Sequence, residues 1–97
     1  MYEIEYTAEA LEDLASLRKS EQKQVMDEVD SQLQHEPTVE TRNRKRLRPN
    51  AIAEWELRVG RFRVFYDVRE EVKIVKVEAI GHKEGSKLFI QGEEYAL

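Results

Sequence analysis

Glu54-Trp-Glu-Leu-Arg-Val-Gly-Arg-Phe-Arg-Val-Phe-Tyr-Asp-Val68 reads as two strands folded back on each other through Gly60-Arg61. A two-residue loop led by glycine fits a type II′ turn, whose twist matches a hairpin and whose first central residue needs φ > 0. That turn dictates a register: Val59 faces Phe62, Arg58 faces Arg63, Leu57 faces Val64, Glu56 faces Phe65 and Trp55 faces Tyr66. Alternation then sorts the side chains. Trp55, Leu57, Val59, Phe62, Val64 and Tyr66 form an apolar face that needs a core. Glu54, Glu56, Arg58, Arg63, Phe65 and Asp67 share the other. Two arginines directly across a strand pair repel each other. Either they splay into water beside Glu56, or they are held together to meet an anion.

Upstream, Tyr2, Ile4 and Tyr6 alternate with Glu3 and Glu5, the pattern of a half-buried first strand. Thr7 offers a helix N-cap, and Leu11, Leu14, Ala15 and Leu17 follow at helical spacing. Ser20 can cap a second helix, whose stripe is Val25, Met26, Val29 and Leu33 and which Pro37 stops near His35. The two helices make a hairpin that should lie across the apolar face of the sheet. Thr38 to Asn50 has no apolar period and reads as an irregular loop. Downstream, Val72 to Ile80 is a strand apolar on both sides of its alternation, which suits a central place in the sheet. Gly81-His-Lys-Glu-Gly-Ser86 should interrupt it, and Lys87-Leu-Phe-Ile90 should anchor the tail. The expected fold is α+β, with order β-α-α-β-β-β. A mainly antiparallel sheet carries the N-terminal helical hairpin on one face, and the opposite face stays open and holds the arginines.

The 97 residues fit one small domain spanning 1–97, with no internal repeat or low-complexity segment. An apolar fraction of 40% beside a charged fraction of 37% suits a globular chain with a heavily charged surface. There is no cysteine, which excludes a disulfide framework, a thiolate metal site and a thiol nucleophile. Met1-Tyr-Glu-Ile-Glu-Tyr6 lacks the basic and apolar regions of a secretion signal, and no apolar run approaches the ~20 residues of a membrane span. The expectation is an intact cytoplasmic protein with no membrane role.

The net charge of −4 hides an asymmetry. Between Arg42 and Arg63, eight basic residues stand against Glu54 and Glu56, a local +6, so the remaining chain carries −10. A basic band on an acidic body attracts anions locally. Arg44, Lys45, Arg46, Arg48 and Arg61 in this band are candidate phosphate contacts, although a run of this kind also serves solubility in a solvated loop.

No phosphate-cradling glycine loop, metal-spaced histidine cluster or nucleophile elbow is present. His35, at a helix end, reads as a local dipole interaction. His82 follows a buried strand and a glycine, so it is either a plain surface histidine or a group able to act as acid or base. Cleavage of RNA through its own 2′-hydroxyl requires a proton acceptor, a donor to the leaving 5′-oxygen and positive charge on the pentacoordinate phosphate. Arg58, Arg63 and Lys83 can supply the charge, Glu56 or Glu54 can accept and His82 can donate. Phe65 offers a surface on which a base stacks. That chemistry requires no metal and no cofactor.

Tyr2-Glu-Ile-Glu-Tyr-Thr7, Ala10-Leu-Glu-Asp-Leu14, Lys45-Arg-Leu-Arg48, Trp55-Glu-Leu-Arg-Val-Gly-Arg-Phe-Arg-Val-Phe-Tyr66 and Val77-Glu-Ala-Ile-Gly-His-Lys83 together resemble the RelE/ParE superfamily of toxins from type II toxin–antitoxin modules. The resemblance covers essentially the whole chain. It implies the fold just derived and neutralisation by a cognate antitoxin in a hetero-oligomer. For RelE-like members it implies cleavage of mRNA on the ribosome. The arginine that contacts the scissile phosphate there matches Arg63, and a basic residue after the fourth strand matches Lys83, with His82 beside it. This sequence departs from the family at Glu54 and Glu56, where RelE carries lysines, and at Phe89, matched to RelE's C-terminal tyrosine. Two other functions stay open: a non-catalytic ParE-like inhibitor of DNA gyrase, and an inactive member that only binds its antitoxin.

Overall fold

A computed structural model describes all of residues 1–97. The elements in order are β1 (Glu3–Tyr6), α1 (Ala8–Ala15), α2 (Lys19–Leu33), β2 (Arg44–Arg46), β3 (Trp55–Val59), β4 (Phe62–Arg69), β5 (Ile74–Glu84), β6 (Lys87–Ile90) and β7 (Glu93–Tyr95). The strands form one sheet in the order β2-β3-β4-β5-β6-β7, with β1 also on β5. The β1–β5 pairing is parallel and every other pairing is antiparallel. This is the expected α+β layering, enlarged to a seven-stranded sheet.

The β3–β4 hairpin has the register its turn dictates, pair for pair from Trp55↔Tyr66 to Val59↔Phe62. Gly60 has φ +58° and Arg61 stays out of the left-handed region, which is the type II′ signature. Trp55 and Tyr66 stack across the strands at 6.2 Å between ring centroids. The hairpin's apolar face joins Ala10, Leu14, Val25, Val29, Leu33, Val75, Val77 and Ile80 in the main core, under the two helices. Tyr66 reaches through that core to donate its hydroxyl proton to the Pro37 carbonyl at 2.7 Å.

Thr7 caps α1 as expected, its Oγ1 accepting from the Ala10 amide at 3.1 Å. The buried stripe of α1, however, is Ala10, Asp13 and Leu14, while Leu11 is exposed. On α2 it is Val25, Val29 and Leu33, with Met26 exposed. α2 starts one residue before Ser20: Arg18 takes the cap position, and its amide donates to Glu21 Oε1 at 3.2 Å.

Asp13 is buried because β5 needs it. The outer edge of β5 pairs with β1 over Ile74–Val77 and with β6 over His82–Glu84, leaving a gap between. Buried backbone groups in such a gap must find partners elsewhere. Thr7 Oγ1 donates to the Glu78 carbonyl at 3.0 Å, and Asp13 Oδ2 accepts from the Ile80 amide at 2.9 Å. The start of α1 thus seals the seam between two half-length neighbours.

Three expectations are corrected here. Arg44–Arg46 lies inside the expected irregular loop yet forms an edge strand on β3. β5 runs unbroken through Gly81, His82 and Lys83 and turns only at Gly85-Ser86. The face away from the helices is not bare. Phe65, Ala79, Leu88, Ile90 and Ala53 form a second small core there, with Leu47, Ile52 and Tyr95 packed on it.

Candidate functional site

β3, β4 and β5 present alternate residues to the face away from the helices, and next to the hairpin turn these are charged. Arg58 and Arg63 stand opposite each other, and Gly81 is the β5 partner of Arg63. The next residue on that face of β5 is Lys83, which pairs with Leu88 of β6, itself paired with Tyr95 of β7. Lys45 enters from β2 opposite Glu56. The result is a cleft of about 300 Å³ lined by Lys45, Glu56, Arg58, Arg63, Lys83, Leu88 and Tyr95, among others. Four cations share it with one acidic side chain.

Arg63 is the most constrained of the four. Its side chain is 10% exposed, and its Nη1 donates to the carbonyls of Gly60 at 2.8 Å and Phe62 at 2.9 Å. Its Nε lies 3.9 Å from Glu56 Oε2. Burial lowers its pKa, Glu56 raises it and the neighbouring Arg58 lowers it. A guanidinium remains charged under such a shift, and a poorly solvated cation favours an incoming anion. Arg58 is exposed, its amide donates to the Asn43 carbonyl at 2.8 Å, and it lines both this cleft and a neighbouring depression that holds Asp27 and Glu28 of α2.

Of the sequence-derived candidates, Arg63, Arg58, Lys83, Glu56 and Lys45 come together in this cleft. The others do not. Phe65 is completely buried beneath the second core and presents no ring on which a base can stack. His82 pairs with Phe62, so it lies on the helix side of the sheet, across from Arg63. There it stacks on Phe89 at 5.6 Å and its Nε2 sits 2.8 Å from Glu84 Oε2. Phe89, matched above to a catalytic tyrosine, is therefore on that side too.

Arg44 is buried and structural: its Nε donates to the Val39 carbonyl at 2.9 Å, and its Nη1 to the Gln32 carbonyl at 2.7 Å and to Gln32 Oε1 at 3.1 Å. Arg46 lies 5.8 Å over the Trp55 ring and 3.7 Å from Glu54. Arg61 is tied to Glu21 of α2 at 3.2 Å and covers Phe62. Arg48 lines a neighbouring depression with Asp67 and Glu78.

Sequence reasoning missed Tyr95. It places a phenol on the cleft wall, and its hydroxyl makes one long contact, 3.4 Å to Glu93 Oε2. The signal for it was the Gln91-Gly92 reversal. Both residues have positive φ (52° and 78°), the two-residue turn that folds β7 back onto β6.

The architecture has known counterparts. Among solved structures, the chain is similar to one in the RelBE2 toxin–antitoxin complex from Mycobacterium tuberculosis, at 26% identity and TM-score 0.73, covering 84% of this chain and 98% of that one. It also shares the fold of a chain in the archaeal RelE–RelB complex from Pyrococcus horikoshii OT3, at 23% identity and TM-score 0.63, covering 78% of this chain and 88% of that one. A comparison with curated proteins gives no significant match. No helix is long and apolar enough to cross a membrane. The family model described as the ParE toxin of type II toxin–antitoxin systems matches residues 4–86, from β1 through β5. The chain belongs to that family of toxins, within the RelE/ParE superfamily.

Proposed function

We propose that the chain is the toxin of a type II module that cleaves mRNA on the ribosome in the cytoplasm, and that a cognate antitoxin neutralises it by forming a hetero-oligomer. The observation that carries the reading is the cleft itself. Arg58, Arg63 and Lys83 converge beside a carboxylate, Glu56, and a phenol, Tyr95. A phosphodiester in this cleft meets three cations that neutralise the charge growing on its non-bridging oxygens. The 2′-oxygen attacks phosphorus and its proton passes to Glu56. The bond to the 5′-oxygen breaks, and that oxygen takes a proton from Tyr95; water then carries the proton held by Glu56 back to Tyr95, which resets both groups. The products are a 2′,3′-cyclic phosphate and a 5′-hydroxyl. The 3.9 Å spacing between Glu56 and Arg63 leaves the carboxylate room to accept a proton while staying oriented.

A second reading is favoured by one observation: the matching family model is that of ParE toxins, and it ends at residue 86, before Tyr95. In a gyrase inhibitor of the ParE kind, the same basic cleft docks on its target and breaks no bond. Primer extension on messages isolated after induction, run beside a gyrase supercoiling assay with purified protein, separates the two. Cuts within codons that vanish in Arg58→Ala support the nuclease. Intact messages with supercoiling inhibited support the second reading.

A further inference from the structure

Beyond the cleft, the same face changes character. A groove of about 500 Å³ runs between the Ala51–Ile52 loop and the turn from β6 to β7. Its apolar lining includes Ile52, Ile90 and Tyr95, and its acidic groups are Glu9, Glu78 and Glu93; no cation lines it. The groove sits opposite in charge to the cleft, and the two share one wall, Tyr95. β7 is a three-residue edge strand paired only with β6.

We propose that this groove seats an apolar side chain flanked by lysine or arginine from the cognate antitoxin, which restrains the toxin by engaging Tyr95 from behind. The inference rests on the antitoxin reading above and adds the place and the chemistry of the contact. RNA is disfavoured as the occupant, because three carboxylates repel a phosphate backbone and only Lys76, 4.0 Å from Glu78, offsets one of them. A purely apolar segment would leave those carboxylates facing a desolvated surface. A basic, apolar segment satisfies both halves of the groove.

Glu78 supplies an independent readout. Burial first, then a hydrogen bond to Asp67 on β4, opposed by Lys76 on β5 and helped by the charges of Asp67 and Glu9 on α1, push its carboxyl up to about 7. A cationic partner group favours the ionised form. Association therefore releases a proton near neutrality and tightens as the pH rises from about 6 to about 8.

The test uses the purified full chain and its purified cognate antitoxin, with affinity measured by calorimetry in buffers of different ionisation enthalpy. The double variant Glu9→Gln/Glu78→Gln should bind at least ~10-fold more weakly, lose the proton release, and still cleave RNA as the parent does. Thermal unfolding of the variant confirms that it is folded. Affinity and proton release within twofold of the parent overturn the proposal, as does a change confined to self-association of the toxin. Failure of the parent to cleave RNA, with these binding results intact, would overturn the nuclease reading and leave this contact standing.

Discussion

Arg58 and Arg63 face each other directly across β3 and β4, on the side of the sheet turned away from both helices. A like-charged cross-strand pair costs stability. Here Arg63 is partly compensated by two backbone carbonyls and Glu56, whereas the Arg58 charge is left to the cleft. An anion between them relieves the repulsion. In the absence of RNA, inorganic phosphate or sulfate should raise the thermal midpoint more in the parent than in Arg58→Ala, a difference that differential scanning fluorimetry reads directly.

The two faces of β5 separate Tyr95 from His82. Tyr95→Phe keeps the ring that packs on the second core and removes only the hydroxyl, so cleavage of ribosome-bound message should fall by ~10²-fold with little change in stability. His82→Gln, across the sheet, should cleave within about twofold of the parent. Single-turnover cleavage rates for both variants check this pairing.

The basic run divides into structure and surface. Arg44→Met removes a buried cation that holds three acceptors of α2 and the following loop, and should cost on the order of 2–4 kcal/mol in denaturant unfolding. Lys45→Met, one residue on and exposed, should cost less than ~0.5 kcal/mol and act on RNA binding instead.

Stability should carry the mark of Glu78. Its carboxyl pKa is raised from 4.5 to about 7 in the folded chain. Between those values the folded state holds more protons than the unfolded state, so this group's contribution makes stability fall as the pH rises through that window. Glu78→Gln should be the more stable protein at pH 8 and lose most of that advantage at pH 4, as thermal unfolding across pH will show.

Much of the fold was legible because its signals were local. Gly60-Arg61 dictates a turn, the turn dictates a register, and the register sends six apolar residues to the helices. The errors came from contacts distant in sequence. Arg44-Lys45-Arg46 carries no apolar alternation, so nothing in it announces a strand; only Trp55 to Leu57 opposite makes it one. Phe65 was expected at the surface because a hairpin alone cannot reveal that Ala53, Leu88 and Ile90 cover it. A register shift in the β4–β5 ladder between Phe65 and Tyr66, with Glu78 unpaired opposite, hides the side on which later β5 residues emerge. His82 was expected in a break after Ile80; because β5 continues instead, it falls on the helix side beside Phe62. Lys83 and Arg63 lie in one cleft because both flank the turn end of the hairpin, where Lys83 donates its amide to the Arg61 carbonyl at 2.8 Å.

Whether the cleft cuts RNA is tested most directly by adding purified toxin to ribosomes carrying a defined message and timing the appearance of 5′-hydroxyl fragments. The account predicts cleavage by the parent and a loss of at least ~10²-fold in Arg58→Ala and in Lys83→Ala, with both variants folded. Equal cleavage by the parent and these variants, or no cleavage by a parent that arrests growth, would contradict it.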